Sequence, residues 1–212
     1  MAPAQPQVVA LVASFGTLAR AHGSAVLLPG GQALTAAHVV DEASLREELC
    51  RLGRWPGEAV PYLAGLALQP PGGAPLAATR QRLGRSNFEV SGCDLAYRGG
   101  ADLALLQLEA PASLADPPPV CRADPPPGQP VLVVSAGRQV AATLGGEATE
   151  ADAENGRYAV LDLRLEAGDS GGGVFALPEL CLLGIVSMRD PQDPDRSWLV
   201  RAAVIRAFLQ EE

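Results

Sequence analysis

One stretch of this 212-residue chain concentrates reactive potential: Glu166-Ala167-Gly168-Asp169-Ser170-Gly171-Gly172-Gly173. A serine hydroxyl is a weak nucleophile until a base takes its proton, and that base needs an acid behind it to hold its tautomer. Glycines around Ser170 let backbone approach a substrate and permit unusual φ/ψ at the turn. Only His22 and His38 could supply the imidazole. His38 ends Leu34-Thr35-Ala36-Ala37-His38 and, taken alone, reads as a satisfied core histidine. His22, in Arg20-Ala21-His22-Gly23, reads as a solvated loop residue. Asp102 opens the apolar run Asp102–Leu108, where a carboxylate is costly unless paired. The plain alternative is an exposed aspartate at a strand start.

Residue order decides which serine chemistry is open. Gly168-x-Ser170-x-Gly172 matches the nucleophile elbow of α/β-hydrolases, but those enzymes place their histidine after the serine, and none follows Ser170 here. A subtilisin-like order needs an aspartate before the histidine, yet the first acidic residue is Asp41. Only the order His, Asp, Ser survives.

Leu34-Thr35-Ala36-Ala37-His38, Asp102-Leu103-Ala104-Leu105-Leu106-Gln107-Leu108 and Gly168-Asp169-Ser170-Gly171-Gly172 together resemble the three signature segments of trypsin-like (chymotrypsin-fold) serine proteases, in that family's order. The resemblance implies an all-β fold of two packed six-stranded antiparallel barrels with a C-terminal helix. It implies a serine endopeptidase with the triad His38, Asp102 and Ser170, and an oxyanion hole from the N–H groups of Gly168 and Ser170. Ser187, in Leu183-Gly184-Ile185-Val186-Ser187, matches the hydroxyl that supports the buried aspartate. No Ile-Val-Gly-Gly-type new N-terminus is visible, so Asp169 is expected to be held by local hydrogen bonds, as in bacterial members rather than digestive zymogens. No peptide-binding domain is expected after the terminal helix. At positions matching the family's specificity pocket stand Arg164, Arg189 and Arg196, which would favour an acidic residue before the scissile bond. A slipped register would leave these arginines in solvent.

The elements that must position these groups read as short strands broken by 23 Gly and 19 Pro. Strands are predicted at Val8–Phe15, Ser24–Leu28, Gln32–Thr35, Val60–Leu68, Asp102–Leu108, Pro130–Ser135, Tyr158–Leu163, Gly173–Leu177 and Leu180–Ser187. Helices are predicted over Ser44–Leu52, with Ser44 as cap, and Leu199–Leu209, with Val200, Val204 and Phe208 on one face. The Pro-rich stretch reads as a stiff crossing linker over 113–129 between two β units. The resemblance implies that these are a first barrel over 1–112, with an insertion around 42–95 relative to the family, and a second barrel with the helix over 130–212.

Composition narrows the classes further. The net charge is -8 and all 16 basic residues are arginine, without a basic stripe, which disfavours nucleic-acid or anionic-membrane binding. No run of 18 apolar residues suggests a membrane span. With two histidines and no C-x-x-C pair, a zinc site is not expected, nor any other cofactor. Cys50, Cys93, Cys121 and Cys181 allow three disulfide pairings, while Cys181, flanked by leucines, could equally be a free buried thiol. The start of the chain leaves open a cytoplasmic protein or a secreted or periplasmic one whose signal has been removed. The expectation is a monomeric enzyme acting on polypeptides; the alternative is a catalytically silent protease fold used as a binding module.

Overall fold

Val8–Phe15 alternates buried and half-buried side chains, as a strand with one face in a core must, and forms β1. The computed structural model describes residues 7–54, 62–84, 88–91, 93–97, 101–109, 117–124, 126–147, 158–190 and 193–210. After β1 come β2 (Ala19–Leu28), β3 (Gln32–Thr35), the short helix α1 (Ala37–Val40), α2 (Glu42–Arg51), β4 (Gly65–Gln69), β5 (Leu76–Leu83), β6 (Phe88–Ser91), β7 (Asp94–Tyr97) and β8 (Ala104–Leu108). The second half contributes β9 (Pro130–Val134), β10 (Gln139–Glu147), β11 (Tyr158–Leu161), β12 (Gly173–Ala176), β13 (Leu182–Arg189), β14 (Ser197–Arg201) and α3 (Ala202–Gln210).

Two closed six-stranded antiparallel barrels result, β1-β2-β3-β8-β5-β4 and β10-β11-β14-β13-β12-β9, with β6-β7 as a separate hairpin. Ranked one to six along the chain, the strands of both barrels close in the cyclic order one-two-three-six-five-four. Because successive side chains on a strand point to opposite faces, each barrel buries two sets. Val9, Leu11, Ala13 and Phe15 fill the first barrel, and Val131, Val133, Leu161 and Val174 the second. Val26, Leu34 and Leu105 of the first barrel meet Tyr158, Phe175, Ile185 and Trp198 of the second in a shared seam.

Several boundaries differ from the sequence reading. His22 lies on β2 opposite Val12, because the β1–β2 pairing runs on to Phe15 and Ala19; it is not in a loop. Helix α2 is capped by Asp41, whose carboxylate accepts from the backbone N–H of Ser44 at 3.2 Å, so Ser44 lies inside the helix. Leu199–Arg201 belong to β14 rather than to the terminal helix, since β14 is hydrogen-bonded on both sides, to β11 and β13. Of the strand expected over Val60–Leu68, residues 60 and 61 lie outside the described residues and β4 starts at Gly65.

The cysteines pair Cys50–Cys93 and Cys121–Cys181, so Cys181 is not a free thiol. The first bond ties the end of α2 to the β6–β7 hairpin. The second ties the segment after the prolines to the start of β13, where Pro119 and Cys121 also bond the backbone of Leu182. In the chain-entropy account, loops of 43 and 60 residues each contribute about 4 kcal/mol.

Candidate active site

Strands β3 and β8 are neighbours, with Thr35 opposite Ala104. The chain leaving β3 and the chain entering β8 therefore lie side by side at one barrel end, which brings His38, in α1, to Asp102, two residues before β8. Asp102 is 7% exposed, and both its oxygens are engaged. Its Oδ1 accepts from the backbone N–H of His38 at 2.9 Å. Its Oδ2 accepts from His38 Nδ1 at 2.8 Å and from the Ser187 hydroxyl at 2.5 Å. A carboxylate can only accept, so the ring proton sits on Nδ1 and Nε2 is left as the proton acceptor.

Electrostatics follow this geometry. Burial pushes the Asp102 carboxyl up, but the His38 charge and hydrogen bond, the Ser187 hydroxyl and the His38 backbone N–H outweigh it and hold it below its ordinary range. Burial likewise pulls His38 down, and the charge and hydrogen bond of Asp102, aided by the charges of Glu47 and Asp41, raise it above 6.5.

Ser170 comes from the second barrel, beyond a turn over residues 166–169 closed by Asp169 N–H donating to Glu166 O at 3.2 Å. Gly168, third in that turn, has φ +93°, the pattern of a type II turn that needs glycine there. The alternative type I turn rotates the central peptide and would put a carbonyl where the Gly168 N–H stands. The N–H groups of Gly168 and Ser170 have no hydrogen-bond partner among the described residues. The Ser170 hydroxyl donates to the Ser187 carbonyl at 3.3 Å. At Gly171, φ is +84° and a Cβ would collide with Ser24 O and Thr35 Oγ1, so the serine loop packs against the first barrel without side-chain spacing.

Asp169 is 3% exposed and still charged, because Arg138 pairs with it. The Arg138 Nε donates to both carboxylate oxygens at 3.1 and 3.2 Å, and the Glu166 N–H donates to Oδ2 at 2.8 Å. Sequence reasoning missed Arg138. A buried Asp169 demands a cation, but nothing in a chain of sixteen arginines says which one comes from the β9–β10 turn. Tyr158, whose Oη accepts from the Asp102 N–H at 3.2 Å across the seam, and Ser24 on β2 were missed for the same reason.

His38, Asp102, Ser170 and Ser187 line one cleft of about 710 Å³. Helix α2 forms part of its wall through Leu45 and Glu47, and His22 also borders it. Arg189 lines the cleft and donates to Leu165 O at 3.0 Å. Arg164 and Arg196 do not line it. Arg164 is 68% exposed, 4.0 Å from Asp195, and Arg196 pairs with Asp162 at 2.8 Å. Among the described residues no cluster of three or more His, Cys, Asp or Glu is placed to hold a metal ion, and no helix is long and apolar enough to cross a membrane.

Comparison with known proteins agrees with the two-barrel fold. Residues 23–185 match the sequence profile of the trypsin-like peptidase domain. The fold is similar to the Rv3671c protease in its inactive form (TM-score 0.65, 18% identity, 96% of this chain and 87% of that one). It is also similar to the active form of that M. tuberculosis protease (TM-score 0.62, 18% identity, 96% and 79%) and to the serine endoprotease from Yersinia pestis (TM-score 0.63, 18% identity, 98% and 62%). No curated protein matches the sequence.

Proposed function

We propose, from the premise that this chain belongs to the trypsin-like peptidase family, that it is a serine endopeptidase whose triad is His38, Asp102 and Ser170. The observation that carries this reading is the saturation of the buried Asp102 carboxylate by the His38 ring, the His38 backbone and Ser187. It fixes the imidazole in the one tautomer that can act as a base, in the same cleft as Ser170. Rotation of the Ser170 hydroxyl away from the long bond to Ser187 O directs it to His38 Nε2 as substrate binds. His38 takes the proton as Ser170 Oγ attacks the scissile carbonyl, then gives it to the leaving amine; water repeats the sequence on the acyl-enzyme. The Gly168 and Ser170 N–H groups receive the developing oxyanion. The functional division is 1–112 and 130–212 joined by 113–129, with one half supplying base and acid and the other the nucleophile.

The same reading assigns a preference for Asp or Glu before the scissile bond, carried by Arg189. Of the three candidate arginines it borders the cleft, while Arg164 and Arg196 stand by surface aspartates. Cleavage of a peptide library is expected to show acidic residues enriched before the cut, and Arg189→Ala is expected to lower kcat/KM for such peptides about tenfold or more. Cleavage after Arg, Phe or Leu and not after Asp or Glu would rule out the preference and leave the triad standing.

A further inference from the structure

We infer that Ser24, on β2 of the first barrel, is a positioning residue that fixes the oxyanion-hole donors of the second. Ser24 stands at the head of the apolar run Ala25–Leu28 of β2, opposite Ala10, and is fully buried. A hydroxyl there is costly unless it is hydrogen-bonded, and it is bonded twice. Its Oγ donates to Gly168 O at 2.7 Å and accepts from Ala136 N–H at 2.9 Å. Its N–H donates to Ser170 O at 2.8 Å, and its carbonyl accepts from the Thr35 hydroxyl at 2.7 Å.

Three of these four bonds cross the seam. Two of the three hold the carbonyls of Gly168 and Ser170, the two residues whose N–H groups are the proposed oxyanion donors, and the third anchors the same hydroxyl to Ala136. Tying both to one residue of a paired strand fixes the separation and direction of those donors. Donors must lie within about 2.7–3.1 Å of the oxyanion to act, and a displacement near 1 Å costs about a hundredfold in rate. The backbone bond to Ser170 survives any side chain at position 24, whereas the bonds to Gly168 and Ala136 depend on the hydroxyl.

The inference rests on Ser170 as the nucleophile, and its test separates the two. Wild type, Ser24→Ala and Ser24→Cys are compared for peptide hydrolysis, fluorophosphonate labelling, melting temperature and inhibition by a peptide aldehyde, whose adduct oxygen occupies the oxyanion position. Expected for Ser24→Ala is a kcat lowered about tenfold or more, aldehyde affinity weakened by a similar factor, and KM within about twofold. Ser24→Cys, which nearly keeps the volume but offers only a weak donor, is expected to lower kcat in the same direction, and it carries the test if the alanine variant does not fold. A folded variant with kcat and aldehyde affinity within twofold of wild type overturns the inference, as does a loss confined to melting temperature. A wild type that neither hydrolyses nor labels overturns the triad, and this inference with it.

Discussion

Asp102→Asn is expected to lower kcat about 10⁴-fold while the protein stays folded. The reason lies in the donors around the carboxylate. Oδ1 faces the His38 backbone N–H and Oδ2 faces His38 Nδ1. An amide has one carbonyl and one NH₂, and a backbone N–H cannot change from donor to acceptor. The amide carbonyl therefore turns to the backbone, its NH₂ meets Nδ1, and the ring moves its proton to Nε2. No base then faces Ser170, and the Ser187 hydroxyl can rotate to suit.

The pH profile should report the same change. In wild type the acid limb of kcat/KM is expected above 6.5, since Asp102, with smaller help from Glu47 and Asp41, outweighs the effect of burial on His38. Residual activity of the variant should have its limb at lower pH, because the largest raising influence is gone while burial remains. Stability carries the opposite sign for the two groups. The raised His38 stabilises below about 6.5 and loses this as pH rises through its folded pKa; the depressed Asp102 stabilises above about 3.9 and loses this as pH falls through its own. A variant with wild-type rate and limb would show that Asp102 does not orient His38.

Arg138→Met is expected to have the largest effect on stability. It leaves the Asp169 carboxylate buried and without its cation, a loss of about 3–5 kcal/mol at neutral pH. In wild type, burial pushes Asp169 up, but the hydrogen bonds from Arg138, Glu166 N–H and Ser135, with the Arg138 charge, hold it below its ordinary range. That stabilisation is present above the unfolded aspartate pKa near 3.9 and is lost as pH falls through the folded one. In the variant the hydrogen bonds from Glu166 N–H and Ser135 remain but the largest lowering influence is gone, so Asp169 takes up a proton at a higher pH than in wild type. Chemical denaturation from pH 8 down to 4 should show the gap between the proteins narrowing as the pH falls. Activity should fall as well, since Asp169 separates the two proposed oxyanion donors. Equal stability across that range would mean that the pair contributes nothing to holding the turn.

Local patterns made the site's three chain segments readable, and contacts between distant segments concealed what supports them. β1 and β3 are legible because their apolar residues alternate or run continuously into a core. β5 carries Thr79, Arg80, Gln81 and Arg82 on a partly exposed surface, so its hydrophobic signal is weak. β14 was absorbed into a helix because Val200, Val204 and Phe208 have helical spacing; in the fold, Val200 on the strand and Phe208 on α3 reach the same apolar seam. Asp102 and His38 could be paired by motif and order, but Ser24, Arg138 and Tyr158 act across 144, 31 and 56 residues. The Ser24 and Tyr158 contacts depend on how the barrels pack and the Arg138 contact on how two loops of the second barrel meet, and no spacing within one segment encodes them.

The most direct test of the central claim is labelling with a serine-reactive fluorophosphonate, comparing wild type with Ser170→Ala and His38→Ala. Rapid covalent labelling of wild type, absent from Ser170→Ala and reduced by several orders of magnitude in His38→Ala, is the result predicted for a serine activated by its histidine. Folded wild type that does not label, or labels as fast without His38, would contradict it.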